Sequence, residues 1–382
     1  MKAIICDYHP WDTDFRVGDH HYARLFIDNG WDVLWISHPV SPFHGMKPEN
    51  ADRIQRAKSG PHRHANGPIE YIPFTVIPFL KAPVLSSQWA LENTHKYFNP
   101  SLEVTLRKTG FDKPDLVWIT DAALHAVMTA ADAKVRAVRI ADDNTEFRSM
   151  PRALKTIEER LMKQANVVFV TSSPLESRLK TKFGGKLHLL RNGVEYEHFQ
   201  GEFEKPDEYR FIDGPIAVYV GAIDEWFAPD WVTTLAKLRD DITSVIIGHS
   251  KINLSELMHI PNVRILGPKQ YREIPAYLAH AELGIIPFRR TKLVDSISPL
   301  KLFEFFAAGL PVVSTRWKEL EWLDSPALLA ADADDFARLV WRAVDEGWKK
   351  QQGAHFRKYA AQNSWQSRYE SAMSVLERYL GD

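Results

Sequence analysis

The sequence has little cysteine, no long apolar run and no excess of one charge. Its single cysteine, Cys6, cannot form an internal disulfide and lies in an apolar run, which predicts a small buried residue in a reducing compartment. The 48 basic and 49 acidic residues create no overall field, so nucleic acid is not expected as a partner. The most apolar stretch, 71–80, is about half as long as a membrane helix and contains Pro73 and Pro78. We therefore expect a cytoplasmic protein that does not span a membrane.

Signatures of several other enzyme classes are also missing. No Gly-x-Gly-x-x-Gly fingerprint follows a strand pattern, which disfavours a dinucleotide-dependent dehydrogenase. The sequence has no Walker loop, no Gly-x-Ser-x-Gly elbow and no histidine or cysteine cluster with zinc spacing. Asp332-Ala333-Asp334 looks like a metal-binding motif, but it precedes a helical pattern and predicts a helix start. We expect neither a metal nor another cofactor.

The patterns that are present indicate two α/β domains. A chain of 382 residues is long enough for two cores, and 45% hydrophobic with 25% charged residues is typical of globular proteins. Short apolar runs alternate with helical patterns, which predicts parallel sheets flanked by helices in Rossmann-like domains. The predicted strands are 3–6, 31–36, 116–120, 135–141 and 167–171 in the first half, and 216–220, 244–247, 263–266, 283–287 and 312–314 in the second; helices are predicted at 19–29 and 151–164.

The connecting segments divide the chain. Residues 41–68 are rich in proline, glycine, histidine and basic side chains, which predicts a long loop. A polar linker at 205–215 separates a first domain, 1–205, from a second, 206–354. The final helical pattern, 354–380, predicts one long helix.

Residues 298–313 form the most informative segment. Ser298 suits the N-cap and Pro299 the first position of a helix. Gly309 suits the C-terminal cap, Pro311 prevents continuation, and a strand pattern follows. Ligands of open α/β sheets bind beyond the carboxyl ends of strands, so a helix start at this place is a candidate site.

Two charged residues lie near the start of that helix. Lys301 opposes the helix dipole there, and a bound anion would reverse the penalty, so Lys301 and the free backbone N–H groups suit a diphosphate. Glu304 lies one turn later and suits ribose hydroxyls. The alternative is a surface ion pair between these two side chains. Just upstream, Phe288 and Arg289 open a basic loop after a strand, which could hold phosphate or be solvated.

The segment 286–315 resembles the donor-binding signature of the GT-B-fold glycosyltransferases of group 1, in which Pro-x-Lys-x-x-Glu-Tyr-x-Ala-x-Gly-x-Pro-Val-Val is common. Phe305 stands at the tyrosine position. Residues 191–199 and 219–227 are similar to two further segments of that family. The resemblance implies two Rossmann-like domains facing a central cleft, the first binding the acceptor and the second a nucleotide-sugar, with a C-terminal helix at 355–382 that crosses back to the first domain.

The resemblance also implies roles for matched positions. Lys301 would contact the diphosphate and Glu304 the ribose of the donor, which implies a metal-independent enzyme. The largest branch of the family, which uses a retaining mechanism, has an acidic residue where this chain has Ser296, so that mechanism does not follow for this chain and both inversion and retention stay open. The implied donor-binding residues are Gly221, Ala222, Ile223, Phe288, Arg289, Ser298, Pro299, Leu300, Lys301 and Glu304.

A second resemblance concerns the acceptor side. The polar and aromatic loop at 7–18, with the helix after it, is similar to bacterial exopolysaccharide glucuronosyltransferases of the xanthan type, which are inverting enzymes on lipid-linked acceptors. It implies a catalytic base at Asp142, after a matching Arg-x-x-Asp. Asp143 is the second candidate, although a capping box at 143–146 explains it as well. The acceptor-side candidates are Asp14, Arg16, Gly18, His20 and His21. His125 is a further histidine that could bind the donor or act as a base, or be structural.

The two resemblances together imply a glycosyltransferase that takes a hexosyl or glucuronosyl group from a UDP-sugar. The acceptor would be a saccharide or lipid-linked saccharide in bacterial polysaccharide synthesis. The basic residues at 53–64 and the apolar stretch at 71–80 could give a peripheral membrane contact, although a solvated loop and a strand explain them slightly better. Two alternatives stay open: a nucleotide-sugar epimerase, and a non-catalytic nucleotide-sugar-binding protein of the same fold.

Overall fold

The computed structural model describes residues 1–13, 16–43, 51–77, 86–142 and 151–381. The chain forms two compact units. Unit 1 comprises residues 1–171, 175–190 and 369–382, and unit 2 comprises residues 172–174 and 191–368. The change between them at Leu190 and Arg191 lies earlier in the chain than the linker at 205–215.

Unit 1 is built on an eight-stranded sheet in the order β10-β9-β8-β7-β1-β2-β4-β3. All neighbouring pairs are parallel except β3 with β4, and a separate antiparallel pair joins β5 and β6. The strands are β1 Lys2–Asp7, β2 Asp32–Ser37, β3 His62–Arg63, β4 Ile69–Tyr71, β5 Phe74–Thr75, β6 Phe98–Asn99, β7 Leu116–Ile119, β8 Val135–Ile140, β9 Val167–Val170 and β10 Leu187–Leu189. The helices are α1 Gly18–Asp28, α2 Ala51–Ser59, α3 Gln88–Asn93, α4 Leu102–Thr109, α5 Val127–Ala130, α6 Arg152–Gln164 and α7 Ser173–Phe183, of which the first two residues of α7 belong to unit 2.

Unit 2 contains a six-stranded parallel sheet in the order β13-β12-β11-β14-β15-β16. Its strands are β11 Ile216–Val220, β12 Thr243–Ile247, β13 Val263–Gly267, β14 Leu283–Ile286, β15 Val312–Thr315 and β16 Leu328–Ala330. The helices that follow α7 along the chain are α8 Pro229–Leu238, α9 Ser255–Met258, α10 Ile274–Ala279, α11 Lys292–Asp295, α12 Leu300–Ala307, α13 Lys318–Leu323, α14 Ala333–Asp345, α15 Trp348–Gln362 and α16 Trp365–Leu380.

The central strands are apolar because both of their faces are covered. Strand β1 is buried along Ala3–Cys6, and β7, β9 and β14 are buried throughout. Parallel sheets with helices on both faces produce such continuous runs rather than alternation. Cys6 is fully buried, as predicted. The α/β class is confirmed, with a parallel sheet in unit 2 and a sheet in unit 1 that is parallel except for β3 with β4.

Two sequence predictions were wrong. The predicted loop at 41–68 contains helix α2 and the short strand β3, whose patterns are too brief to separate from the surrounding prolines and glycines. The predicted single helix at 354–380 is two helices, α15 and α16, because the helical conformation is interrupted at Asn363 and Ser364. At this interruption, backbone hydrogen bonds to Val194 replace hydrogen bonds within the helix. Val194 N–H donates to the Asn363 carbonyl at 3.2 Å, and Trp365 N–H donates to the Val194 carbonyl at 3.1 Å.

Among the residues that the structure describes, no helix is both long and apolar enough to cross a membrane.

Candidate active site

Each sheet has one place where the strand order reverses. In unit 2 the chain runs outward from β11 through β12 to β13, then returns to build β14 to β16 on the other side. The connections after β11 and β14 therefore diverge, and this topological switch point is where open α/β sheets bind ligands. Gly221 follows β11, and Pro287 and Phe288 follow β14.

Two glycines bring the backbones together at this edge. Gly221 has φ 142°, and a Cβ on it would lie 2.9 Å from Cε of Lys301. Gly248 follows β12 with φ 153°, and a Cβ on it would lie 1.9 Å from the Gly221 carbonyl oxygen. Any side chain at either position would displace backbone or the lysine, so the close approach requires glycine at both.

Lys301 is the cation that this arrangement surrounds. It lies in the first turn of α12, with Nζ 4.8 Å from the ring centroid of Phe288 and 5.4 Å from that of Tyr219. Ring faces attract cations, and they hold this ammonium in place without neutralising it. Burial lowers the pKa of Lys301 to about 8, although Glu304 opposes the shift. Among the ion pairs of the described residues, none involves Lys301. A half-buried, unneutralised ammonium at a helix start is suited to an anionic ligand.

Glu304 lies one turn further along α12. Burial raises its pKa to about 7, with Lys301 lowering it and Glu195 raising it. The two charged residues are half-buried, and none of the ion pairs among the described residues joins them, which argues against the surface-pair alternative. A carboxylate in such a position can accept hydrogen bonds from ligand hydroxyls.

The start of α12 differs from the prediction by one residue. The helix begins at Leu300, and Pro299 is the capping residue rather than the first helical one. The Ser298 hydroxyl makes no capping bond; it accepts from Asn192 N–H at 3.3 Å, while the Asn192 amide donates to the Ser298 carbonyl at 3.1 Å. The predicted end is confirmed, because Gly309 has φ 78° and its N–H donates to the Phe306 carbonyl.

The rings of Phe288 and Tyr219, which contact Lys301, are held by neighbouring residues of unit 2. Phe288 N–H donates to the Thr315 hydroxyl at 3.0 Å, and its ring stacks on Trp317 at 5.6 Å. The Tyr219 hydroxyl donates to the Ala222 carbonyl at 2.6 Å, which ties the loop after β11 to its own strand. The platform is therefore rigid before any ligand binds.

The other predicted donor residues brace the same loops. Ile223 is fully buried and exchanges backbone bonds with His249 and Lys251, on the connection after β12. Arg289 N–H donates to the Trp226 carbonyl, and its guanidinium donates to the Phe227 carbonyl at 3.1 Å. The structure thus brings Gly221, Phe288 and Lys301 together, while Ile223 and Arg289 hold the loop after β11.

The segment that begins at Arg191 is anchored within unit 2. Fully buried Glu319 accepts from Arg191 Nε and from Ser173 N–H, both at 2.7 Å. Gly193 packs on the break between α15 and α16, where a Cβ would lie 2.8 Å from the backbone nitrogen of Trp365. These contacts give Arg191 and Gly193 a packing role in unit 2.

In unit 1, buried charges gather near the carboxyl end of β1. Asp7 accepts from His9 N–H at 2.7 Å. Fully buried Asp19 accepts from Trp118 Nε1 at 3.1 Å and lies 3.5 Å from a guanidinium nitrogen of Arg139. Burial raises the pKa of Asp7 to about 7; His9 lowers it and Asp19 raises it.

The predicted acceptor-side residues have different surroundings. His20 is buried, accepts from Val17 N–H at 3.3 Å and donates from Nε2 to the Pro10 carbonyl at 2.9 Å, so both ring nitrogens anchor the loop. Burial lowers its pKa, which favours this neutral tautomer. Gly18 is the buried first residue of α1, His21 is half-buried and Arg16 is exposed. Asp14 lies outside the described residues.

Asp142 follows β8 and is half-buried at the carboxyl edge of the sheet. Asp143 and the capping box at 143–146 lie outside the described residues. His125 is held by the Leu91 carbonyl at 3.4 Å, and burial lowers its pKa to about 4, which indicates a structural histidine.

Two observations concern metals. Asp332 caps α14, with its side chain accepting from Asp335 N–H, so the predicted helix start is confirmed. Within the described ranges, no group of three or more histidine, cysteine, aspartate or glutamate side chains could hold a metal ion.

Tyr219 and Gly248 were missed by the sequence reasoning. The signal for Gly248 was present, since a glycine follows both β11 and β12. Tyr219 has no such signal, because a tyrosine in a buried strand is usually core.

Comparisons with known proteins agree with this geometry. Residues 4–171 match the family described as "Glucuronosyltransferase GumK, N-terminal domain", and residues 214–346 match "Glycosyl transferases group 1". The chain is 29% identical over 191 residues to the "Putative teichuronic acid biosynthesis glycosyltransferase TuaH" of Bacillus subtilis (strain 168), covering 48% of each chain. TuaC of the same organism, with the same description, is 26% identical over 41% of this chain and 40% of its own. The match thus spans about half the length of these relatives.

Solved structures show the same fold. Sucrose-phosphate synthase from Thermosynechococcus elongatus superposes with a TM-score of 0.75 at 14% identity, covering 100% of both chains. HepE from Anabaena, in complex with UDP, superposes with a TM-score of 0.68 at 14% identity over 99% of this chain and 100% of its own. One glycosyltransferase family model thus matches each half of the chain, and the fold of the chain is the GT-B fold of these solved structures.

Proposed function

We propose that this protein transfers a sugar from a UDP-sugar to a saccharide acceptor in bacterial polysaccharide synthesis. The observation that carries the proposal is Lys301, an ammonium held over two rings, beside Gly221, at the switch point of unit 2. A nucleoside diphosphate is an anion of the kind that such a site would bind, and it is the leaving group of a nucleotide-sugar. The relatives' descriptions, teichuronic acid biosynthesis and a complex with UDP, support the pathway and the nucleotide.

In this proposal, protein groups alone balance the negative charge of the donor diphosphate. Lys301 and the N–H groups at the start of α12 would stabilise the diphosphate as the glycosidic bond breaks. Glu304 would accept hydrogen bonds from the ribose. No metal is needed in this scheme, because the cation is supplied by the lysine.

The acceptor hydroxyl needs a base in an inverting transfer. We assign that role to Asp142, which lies at the carboxyl end of β8 as the family resemblance implies. Ser296 stands where the largest branch of the family has an acid; it is buried and its hydroxyl donates to the Leu293 carbonyl at 3.0 Å. That arrangement supports inversion. A glucuronosyl or hexosyl donor, and a lipid-linked acceptor reached from the membrane face, are parts of the same proposal.

The donor site is tested by calorimetric titration of UDP, ADP and GDP into the wild type, Lys301→Ala and Lys237→Ala. We expect UDP to bind best and Lys301→Ala to weaken it at least about tenfold, the loss of one charge-assisted contact. Lys237 is an exposed lysine of α8, and its variant should bind like the wild type. Equal UDP affinity of the two variants would contradict a donor site at the start of α12.

The base is tested separately. Asp142→Asn should reduce transfer by about 10²-fold or more, with UDP affinity unchanged. The anomeric configuration of the glycoside product, read by NMR, decides between inversion and retention. A retained configuration, or full activity of Asp142→Asn, would refute the assigned base while leaving the donor site intact.

A further inference from the structure

The amino edge of the sheet in unit 2 carries a groove that the proposed donor site does not use. Strands β12 and β13 start at this edge, with Thr243 and Val263, whereas Gly221 and Gly248 follow strands at the opposite, carboxyl edge. The groove has a volume of about 560 Å³, which is enough to admit a bulky side chain. Ligands of open α/β sheets bind beyond the carboxyl ends of strands, so a substrate is not the expected occupant.

The groove has an apolar lining on a rigid base. Ala236 is buried, and half-buried Ile260 packs against the core of unit 2. The side-chain amide nitrogen of Asn262 lies 2.9 to 3.1 Å from the carbonyl oxygens of Ala236, Arg239 and Ile242, and so joins the end of α8 to the starts of β12 and β13. A partner would therefore meet a preformed surface and would not have to order it.

Phe211 lies at the rim of this groove. Among the large apolar side chains that the structure describes, it is the most exposed, at 91%. Its neighbours in the chain are anchored: Tyr209 is buried with its ring 5.4 Å from that of Tyr277, and Ile212 N–H donates to the Tyr209 carbonyl at 3.2 Å. Covering a ring held outward on a fixed backbone gains the free energy of burial at little cost in backbone entropy.

The charges around the groove are balanced. Lys237 and Arg264 are basic, Asp213 and Asp240 are acidic, and all four are exposed. None of the ion pairs among the described residues involves any of them. A partner with charges of one sign would be repelled by half of this set, whereas a surface with the same set can match each charge with its opposite. The net charge of −1 adds no long-range repulsion between two copies of the chain.

We propose that this face of unit 2 is an interface between two copies of the chain, in which a two-fold axis places Phe211 of each copy in the groove of the other. A symmetric contact of this kind needs a projection and a matching recess on one surface, and this face carries both side by side. Phe211 would be the apolar anchor of the interface, and the four charges would form its polar rim. The inference does not depend on the proposed function, because the groove contains none of the residues assigned to the donor.

Sedimentation velocity over roughly a hundredfold range of protein concentration measures the association. We expect the wild type to shift from monomer to dimer as the concentration rises. Phe211→Ala should raise the dissociation constant of the dimer at least about tenfold, because the anchor is lost. The monomer should fold normally, since a side chain that is 91% exposed contributes little packing. The matched control is Phe43→Ala, which removes an exposed phenylalanine of unit 1 and should leave the dissociation constant unchanged.

Charge reversal tests whether the partner is a second copy. Lys237→Glu combined with Arg264→Glu makes the rim wholly acidic, and Asp213→Lys combined with Asp240→Lys makes it wholly basic. We expect each double variant alone to stay monomeric, since like charges would face each other, and an equimolar mixture of the two to form a heterodimer. A cooperative thermal melt like that of the wild type shows that each variant is folded.

Dimerisation that is weakened in Phe211→Ala and restored in the mixture of charge-reversed variants supports the interface. A wild type that stays monomeric over the whole range overturns it, and the groove would then serve a different partner or none. Association equally strong in Phe211→Ala overturns it as well, because the copies would then meet through another face. The same conclusion follows if the mixture stays monomeric while the wild type dimerises.

Discussion

The absent side chain of Gly221 leaves the space that Lys301 occupies. A Cβ there would lie 2.9 Å from Cε and 3.1 Å from Nζ of the lysine. Gly221→Ala should therefore displace the ammonium and weaken UDP binding about tenfold or more, as measured by calorimetry.

The matched control for this change is Gly201→Ala. Gly201 also has a positive φ, 111°, but a Cβ on it would meet nothing within 4 Å. Both variants carry backbone strain of about 1 kcal/mol or more, whereas only Gly221→Ala should lose the nucleotide. Equal loss in both would attribute the effect to strain.

The pH dependence of UDP binding should report Lys301. Burial lowers its pKa to about 8, and only the ammonium attracts a diphosphate. The affinity for UDP should fall about tenfold between pH 7 and pH 9, as the protonated fraction falls from about nine-tenths to about one-tenth. Lys301→Arg stays charged over this range and should give a flat profile in the same calorimetric series. A wild-type profile as flat as that of the variant would contradict the prediction.

Asp7 should destabilise the protein when it is ionised. Burial raises its pKa to about 7 from the ordinary 3.8, so the folded state binds the proton more tightly than the unfolded state. The free energy of unfolding should decrease as the pH rises from about 4 to about 7 and then level off. Asp7→Asn keeps an acceptor for His9 and should raise that free energy by about 1–3 kcal/mol at pH 8, with little effect at pH 4. Denaturant melts at both values decide, and an equal effect at the two pH values would exclude ionisation as the cause.

Neutralising Glu319 should lower the free energy of unfolding. Glu319 is fully buried and bonds to both Arg191 and Ser173, so Glu319→Gln leaves a guanidinium without its counter-charge. We expect a loss of about 3 kcal/mol in the free energy of unfolding. Glu321 lies on the same helix, exposed and 3.9 Å from Arg316, and Glu321→Gln should change it by less than about 0.5 kcal/mol. Similar losses from both would mean that the α13 helix itself, rather than the buried pair, is affected.

The regular parts of the fold were predictable from the sequence because they are buried on both faces. Short apolar runs such as 167–170 are typical of buried strands, and their alternation with helical patterns indicated both parallel sheets. Short edge elements were not predictable: β3 has two residues, both exposed, and its partner β4 has three.

The proposed donor site was more predictable than the proposed acceptor side. Lys301 stands in a helix start bounded by proline and glycine, which local rules can identify. The pairing of His38 with Asp121 joins residues 83 positions apart in sequence, and only the strand order brings them together. The break at Asn363 was missed for the same reason, since its bonds go to Val194 rather than to its own helix.

The division of α16 between the two units affects how the protein is made. From Tyr369 onward this helix belongs to unit 1, where the Tyr369 ring packs edge-on against buried Phe26 at 5.2 Å. A ribosome must therefore synthesise the chain beyond Tyr369 before this contact with Phe26, in the first unit, can form. Expression of residues 1–190 alone would yield a domain with an apolar face open to aggregation, whereas appending the last helix through a linker would restore its cover.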